Sequence, residues 1–388
     1  MIKRKIQALI EKRVQSPETI VVTGMRRVGK TSLLHSLFET ISSQNKLFLD
    51  LENPLNQKYF EKLDYDAIIY ELSSLGLSFK ERAYVFLDEI QYLKTMPSII
   101  KYLSDHYPIK FFLTGSASFY LKNLFTESLS GRKIIYELFP LDFEEFLLLK
   151  KERLIIPHDP SISESIYTRF QTLYREYVEY GGFPGVVAKH SFQEKKELLN
   201  DIFTSYFEKE VLQLGDFRKN TVLRDLILLL FQRVGSRIEY QKLSNELGVS
   251  RITIKEYMSF LEQTYLFSLI HPYSKSRDRE IRGMPKLYCI DSGLVNHFGA
   301  VDEGSLIENT IFHQLRVRSN DIHYFRKKTG AEIDFIADKR VAYEVKRKAS
   351  IHDMRSLQRL AADCDISDTT LISYLYTPSV PVQYGFQI

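Results

Sequence analysis

The sequence has little cysteine and no long apolar run. Its two cysteines, Cys289 and Cys364, are too few for a disulfide framework and fit a reducing cytoplasm. No stretch approaches the ~18 apolar residues of a membrane-spanning helix. The basic segment at residues 1–6 is not followed by the apolar core of a signal peptide. We therefore expect a cytoplasmic protein with no membrane partner.

Excess charge of one sign is also nearly absent. The net charge is +4 with 26% charged residues, which permits a nucleic-acid partner but does not demand one. A hydrophobic fraction of 44% is ample for packed cores and excludes a disordered chain. A length of 388 residues suggests two or three domains.

The most informative segment is residues 24–31, Gly-Met-Arg-Arg-Val-Gly-Lys-Thr, a complete G-x-x-x-x-G-K-[ST] loop. It lies between an apolar run at residues 20–22 and a helical pattern, which is the context that the motif requires. Glycines let backbone N–H groups turn toward phosphate oxygens, and the following helix N-terminus favours an anion. The pattern predicts a nucleoside triphosphate site. We expect it to be formed by Gly24, Arg26, Arg27, Val28, Gly29, Lys30, Thr31 and Ser32.

Within this P-loop, two side chains have predicted roles. We expect the Lys30 ammonium to reach the β- and γ-phosphates and the Thr31 hydroxyl to bind Mg²⁺.

Apolar strands alternate with helical patterns over the first 150 residues, which favours a parallel sheet flanked by helices. In such sheets a ligand binds beyond the carboxyl ends of the strands. The predicted strands are Ile20–Gly24, Leu47–Leu51, Tyr84–Ile90, Phe111–Gly115 and Ile134–Leu138.

The third predicted strand ends in two carboxylates, Asp88 and Glu89. Hydrolysis needs one carboxylate near Mg²⁺ and a second group that orients or deprotonates water, so we assign Asp88 to the first task and Glu89 to the second. The next strand ends in Thr114 and Ser116, which either sense the γ-phosphate or cap the following helix. Arg132 is interpreted either as a residue on the same side of the sheet that contacts a neighbouring subunit's nucleotide, or as a surface arginine.

Beyond residue 150 the pattern becomes helical, with a glycine-rich turn at residues 180–185 that is either a hinge or a plain inter-helix turn. Residues 236–298 predict a winged helix-turn-helix, with helices at 238–247 and 251–261, Ser250 as a helix N-cap and wing strands at 266–272 and 286–290. Arg251 and Lys255 share one helix face, typical of phosphate contacts, although winged helices also bind proteins. The expected polar wing loop carries Lys275, Arg277, Arg279, Arg282 and Lys286 against Asp278 and Glu280.

In combination, several motifs resemble a large bacterial and archaeal family of AAA-type P-loop ATPases. The motifs are residues 22–31, 86–89, 113–116, 138–146, 180–184, 286–294 and 332–335. The resemblance covers nearly the whole chain and implies ATP with Mg²⁺ and probable hydrolysis. It also implies a C-terminal domain of unknown function that resembles a restriction endonuclease.

The same resemblance implies a second site near the C-terminus. Glu308, Asp334 and Glu344 match the carboxylates by which such nucleases bind a metal, and Lys346 matches the residue that polarises the attacking water. Glu344 and Lys346 share one strand face because strand side chains alternate. The alternative is ordinary cross-strand ion pairing on a sheet face.

The expected architecture is α/β: a P-loop NTPase sheet, a helical and winged-helix region, and a restriction-endonuclease-like domain. The expected boundaries are 1–150, 151–235, 236–298 and 299–388. Three functions remain open: an ATPase that couples nucleotide state to DNA, an ATP-gated metal-dependent nuclease, and a nucleotide-switched protein scaffold. The expected partners are ATP and DNA, and self-association into a homo-oligomer is compatible with all three.

Overall fold

The computed structural model describes residues 2–62, 64–115, 131–159, 162–212, 220–274 and 276–388, without the side chains of Arg277, Arg279 and Ile281. The chain divides into two compact units. The first comprises the residues up to Phe139 together with Gln263–Tyr265, and the second comprises Pro140–Glu262 and Leu266–Ile388.

The first unit is built on a five-stranded parallel sheet, as the sequence predicts. Its strand order is β2-β3-β4-β1-β5, and each predicted strand is confirmed to within two residues at either end. The strands are Thr19–Thr23 (β1), Lys46–Asp50 (β2), Ala83–Asp88 (β3), Ile109–Gly115 (β4) and Lys133–Glu137 (β5).

Because β4 lies between β1 and β3, the ends of these three strands meet at one edge of the sheet. Thr23 lies beside Gly115, and Leu87 lies beside Leu113, in the parallel register. On one face of the sheet, the rings of Phe86 and Phe112 stack with centroids 4.4 Å apart. This register brings the segments after β1 and β3 close to Thr114 of β4.

Helices flank this sheet. They are Lys5–Glu11 (α1), Lys30–Thr40 (α2), Pro54–Gln57 (α3), Tyr65–Ser74 (α4) and Met96–His106 (α5), with a 3₁₀ turn at Ile90–Tyr92.

The second unit begins with a series of helices, and those beyond residue 150 agree with the helical pattern that the sequence predicts. They are Phe143–Leu149 (α6), Glu164–Tyr180 (α7), Pro184–Val187 (α8), Phe192–Tyr206 (α9), a π-helical continuation at Phe207–Leu212, and Asn220–Phe231 (α10). None of the helices in the described part of the chain is long and apolar enough to cross a membrane.

Two helices then meet at a tight turn, as predicted. Helix α11 spans Tyr240–Leu247 and α12 spans Arg251–Gln263, and Gly248 between them adopts φ +63°. The Ser250 hydroxyl accepts a hydrogen bond from the Thr253 N–H at 3.1 Å, which confirms Ser250 as the N-cap.

Strands β6 (Phe267–Ile270) and β7 (Lys286–Cys289) follow as an antiparallel pair. The prediction of a polar loop between them is wrong in part, because Arg277–Arg282 forms a helix (α13). Lys275 lies outside the described residues. Arg277 and Arg279 lie on α13, but their side chains are not among those that the structure describes.

The C-terminal part is a mixed five-stranded sheet of order β12-β11-β10-β9-β8. Its strands are Ile322–Arg326 (β8), Glu332–Ala337 (β9), Val341–Lys346 (β10), Asp368–Ser373 (β11) and Gln383–Tyr384 (β12). The helices around it are Ser292–Phe298 (α14), Glu303–Arg318 (α15) and Ile351–Asp363 (α16), and a 3₁₀ turn at Gly385–Gln387 ends the chain.

The glycine-rich turn after α7 is held by a buried carboxylate. Asp291 accepts hydrogen bonds from the Gly182 N–H at 2.7 Å and from the Gly293 N–H at 2.9 Å. The Leu141 N–H donates in turn to the Gly182 carbonyl at 2.7 Å. Burial raises the pKa of Asp291 to about 7. The turn at Gly182 is therefore packed against Leu141 and Asp291, two residues that are distant from it in sequence.

This packing predicts that Gly182→Ala destabilises the second unit, because a Cβ there would lie 2.2 Å from the Leu141 carbonyl oxygen. We expect the midpoint of thermal unfolding to fall by roughly 5–10 °C. The matched control is Gly185→Ala, where the Cβ would meet only the Leu198 Cδ2 at 3.1 Å. Its midpoint should stay within about 3 °C of wild type, and equal midpoints for the two variants would contradict the packing argument.

Candidate functional site

The P-loop has the backbone conformation that its glycines permit. Gly24, Arg27 and Gly29 have φ angles of +149°, +64° and +100°. A Cβ at Gly24 would lie 2.2 Å from the Leu138 carbonyl oxygen, so only glycine fits there. Gly29 is the residue before α2, and the first N–H groups of that helix therefore face the loop.

The Lys30 side chain lies inside this loop. Its ammonium donates to the Gly24 carbonyl at 2.9 Å and to the Met25 carbonyl at 3.0 Å, and the residue is only 5% exposed. The two carbonyl oxygens thus hold the Lys30 ammonium inside the loop, among the backbone atoms that would surround a bound phosphate group.

The other predicted loop residues line the turn and the start of α2. Val28 is buried, Arg26 is half-buried, and Arg27, Thr31 and Ser32 are exposed. The sequence prediction missed Arg4, whose guanidinium donates to the Val28 carbonyl at 2.9 Å and to the Phe139 carbonyl at 2.8 Å. Its position in a basic N-terminal run gave no signal that it anchors the loop.

Asp88 lies at the end of β3 and is almost fully buried. Burial raises the pKa of its carboxyl group, while hydrogen bonds from the hydroxyls of Thr114 and Thr31 act in the opposite direction. The structure therefore brings together Thr31 and Asp88, the two residues predicted to hold Mg²⁺ in this domain.

Glu89 is held in an uncommon conformation beside Asp88. Its φ of +54° is in the left-handed region, a conformation that non-glycine residues adopt at a cost and that is frequent at functional sites. Its N–H donates to the Thr114 hydroxyl at 3.1 Å, and its carboxylate accepts from the Gln91 amide.

Thr114 is thus the link between the two acidic residues. Its hydroxyl accepts from the Glu89 backbone and donates to the Asp88 carboxylate. These hydrogen bonds are made to the acidic pair, and they test neither of the two sequence interpretations, a γ-phosphate contact or a helix cap. Ser116 lies outside the described residues.

The predicted position of Arg132 is wrong. Arg132 precedes β5, and its carbonyl accepts from the N–H of Thr19, the first residue of β1. It therefore lies at the amino edge of the sheet, and the five residues of β5, at about 3.3 Å each, separate it from the P-loop edge. Its half-exposed guanidinium pairs with Asp105 of α5.

The predicted C-terminal residues are also brought together. Asp334 of β9 accepts from the Val345 N–H at 2.8 Å, and Glu344 of β10 pairs with Lys346. Glu308 projects from α15 and accepts from the Tyr288 hydroxyl at 2.5 Å. Burial raises the pKa of Glu308 and that of Glu344.

Lys286 was expected both to begin the second wing strand, which is confirmed, and to belong to the polar wing loop, which is wrong. It is the first residue of β7 and is 4% exposed. Its ammonium lies 3.0 Å from Glu308 Oε1, 2.5 Å from Glu332 Oε1 and 3.8 Å from Asp334 Oδ1. Burial alone would lower the pKa of Lys286, but the three carboxylates raise it well above its usual range.

This arrangement does not fit a divalent metal. Mg²⁺ requires about six oxygen ligands in octahedral geometry, and here the carboxylates converge on a nitrogen cation. Within the described ranges, no group of three or more His, Cys, Asp or Glu side chains is placed to hold a metal ion. The predicted set also omitted Glu332, although strand alternation places it on the same face as Asp334.

A third feature is an open groove of about 790 Å³ beside α12. Arg251 and Lys255 line it together with Arg282 of α13 and the Tyr240 ring, and Glu239 and Glu262 complete its wall. Within the described part of the chain, no carboxylate forms an ion pair with Arg251 or Lys255.

Three family models match this chain in succession. Residues 16–147 match the AAA domain, residues 171–305 match a domain of unknown function (DUF8612), and residues 303–386 match a domain of unknown function (DUF4143). The first match covers the parallel sheet with its P-loop, and the third covers the C-terminal sheet.

Related proteins occur in bacteria and archaea. An uncharacterized protein of Haemophilus influenzae is 29% identical, with 84% of this chain and 82% of that protein covered. One from Methanocaldococcus jannaschii is 26% identical, with 90% and 80% covered. A solved structure, the Walker-type ATPase of Pyrococcus abyssi, is similar at 15% identity with a TM-score of 0.46, covering 77% of this chain and 96% of that chain. The chain thus combines an AAA domain of the P-loop type with a C-terminal domain of unknown function.

Proposed function

We propose that the AAA domain binds ATP with Mg²⁺ and hydrolyses it. The observation that carries the proposal is the convergence of the P-loop, Asp88 and Glu89 at one edge of the parallel sheet, with the Thr114 hydroxyl joining the two acidic residues. The P-loop alone supports nucleotide binding, whereas Glu89, as a second carboxylate beside Asp88, supports hydrolysis.

In this proposal each residue has a defined task. The loop N–H groups and Lys30 bind the phosphates, and the oxygens of Thr31 and Asp88 fit Mg²⁺ because they already lie within hydrogen-bonding distance of each other. The metal neutralises charge on the phosphate oxygens when it is bound. Glu89 orients the attacking water and accepts its proton.

The first test compares Lys30→Ala and Glu89→Gln. Lys30→Ala should lose ATP binding, while Glu89→Gln should retain binding and lose hydrolysis by about 10²- to 10⁴-fold in kcat, because only the proton acceptor is removed. Binding is measured by titration with a fluorescent ATP analogue and hydrolysis by phosphate release. Lys80→Ala and Glu81→Gln, both at exposed positions of the same unit, serve as matched controls. Wild-type kcat in Lys30→Ala would refute the assignment.

A second test addresses Thr114. Thr114→Val keeps the shape of the side chain but removes the hydroxyl that contacts Asp88 and the Glu89 N–H. We expect kcat to fall by roughly 10- to 100-fold, since the two acidic residues lose their common partner. Thr114→Ser retains the hydroxyl and should keep kcat within about threefold of wild type. Equal rates for the two variants would exclude a positioning role for the hydroxyl.

A second candidate function is DNA binding by the α11–α12 pair. The supporting observation is the groove in which Arg251, Lys255 and Arg282 face the same open space. Cations spaced along one groove fit the phosphates of a nucleic-acid backbone. In the combined proposal, the nucleotide state of the AAA domain controls this binding, within a single chain or a homo-oligomer. DNA stimulation of ATP hydrolysis separates this proposal from a protein-binding scaffold.

The DNA proposal predicts an affinity that falls with salt. Arg251→Ala combined with Lys255→Ala should weaken binding and reduce the slope of log affinity against log salt by about two, one for each phosphate contact. The measurement is fluorescence anisotropy on a labelled duplex and a labelled single strand. Arg359→Ala on exposed α16 is the matched control. An unchanged slope in the double variant would contradict this interface.

Metal-dependent DNA cleavage at the C-terminal site is a weaker candidate. The residues predicted for it lie close together, but the position of Lys286 among them does not favour a metal.

A further inference from the structure

We propose that the Lys286 ammonium is the resident cation of the C-terminal carboxylate cluster and excludes a divalent metal from it. The carboxylate cluster comprises Glu308, Glu332, Asp334 and Glu344. The inference concerns a different site from the proposed ATP site and does not depend on hydrolysis there.

The first argument is the position of the ammonium. Lys286 Nζ lies 3.0 Å from Glu308 Oε1 and 2.5 Å from Glu332 Oε1, with Asp334 Oδ1 at 3.8 Å. A metal ion that used these three oxygens would have to occupy the space that the ammonium fills. Binding would therefore require a buried lysine to leave its carboxylates, which is strongly unfavourable because it leaves buried charges unpaired.

The second argument is the use of the carboxylate lone pairs. Glu308 Oε1 also accepts from the Tyr288 hydroxyl, and Asp334 Oδ2 accepts from the Val345 N–H. Glu332 Oε2 accepts from Arg326 at 3.0 Å. Glu344 Oε2 is buried without a hydrogen-bond partner among the described residues, and the oxygens that are not already engaged fall short of the roughly six that Mg²⁺ or Ca²⁺ requires.

The third argument is charge. The four carboxylates face three cations, Lys286, Lys346 and Arg326. With all four carboxylates ionised, the formal charge of the group is −1, and it becomes −2 when Lys286 is removed. Only the second state matches the charge of a divalent cation, so replacing Lys286 should turn the cluster into a metal site.

Lys286 also connects separate elements of the fold. Lys286 begins β7 of the hairpin that follows α12, whereas Glu308 lies on α15 and Glu332 and Asp334 lie on β9. One internal cation thus joins three elements of the second unit, and the cluster acts as an electrostatic clamp between the hairpin and the C-terminal sheet.

The test is Mn²⁺ titration of the full chain without nucleotide, followed by electron paramagnetic resonance. Every protein carries Asp88→Asn, so that the proposed Mg²⁺ site of the AAA domain loses its carboxylate ligand. With Lys286 present, we expect no saturable site that depends on Asp334. Lys286→Met, which keeps an unbranched side chain one atom shorter and without the charge, should gain one site with at least a tenfold higher affinity than the Lys286-containing protein, and adding Asp334→Asn should abolish it.

The controls make each outcome decisive. Lys286→Arg retains a cation and should gain no site. Saturable Mn²⁺ binding in the presence of Lys286 that is lost on Asp334→Asn would overturn the proposal. A folded Lys286→Met protein without a new site would also overturn it. If Lys286→Met does not fold, as judged by circular dichroism, the Lys286-containing protein is compared with its Asp334→Asn variant. Equal Mn²⁺ binding by the two proteins supports the proposal, and loss of a saturable site on Asp334→Asn overturns it.

Discussion

The burial of Asp88 is the constraint on which the candidate ATP site depends. A carboxylate at the end of a central strand is costly to bury unless it receives hydrogen bonds, and here the hydroxyls of Thr114 and Thr31 supply them. Thr114 comes from β4, the strand between β1 and β3, so the strand order itself delivers the partner. The same hydroxyl accepts from the Glu89 N–H and thereby fixes the residue that is proposed to activate water.

The C-terminal cluster meets the same physical requirement in a different way. There the buried carboxylates are neutralised by side-chain cations instead of hydroxyls, and Lys286 fills the space among them. The two sites therefore share a carboxylate-rich composition, but in the C-terminal cluster a lysine ammonium already lies among the carboxylates.

The sequence predicts most of the first unit because its signals are local. Five apolar strands, a complete P-loop and the Asp-Glu pair are each contiguous, and all are found where predicted. The position of Arg132 could have been predicted, because it precedes the predicted strand Ile134–Leu138, and in a parallel sheet the residue before a strand lies at the amino edge, opposite the P-loop. The burial of Lys286 was not predicted because a lysine that follows a charged segment is usually solvated, and its partners Glu308 and Glu332 lie more than twenty residues away.

The family matches show why such long-range pairs matter for defining modules in this chain. Lys286 falls in the match at residues 171–305, whereas Glu332 and Asp334 fall in the match at residues 303–386. A fragment restricted to residues 303–386 would leave these carboxylates without the cation that they enclose, which is strongly destabilising for buried charges. A boundary drawn from sequence similarity therefore cuts through one electrostatic unit. The hairpin and the C-terminal sheet are best treated as a single folding module, because neither contains both the charges and their counter-charge.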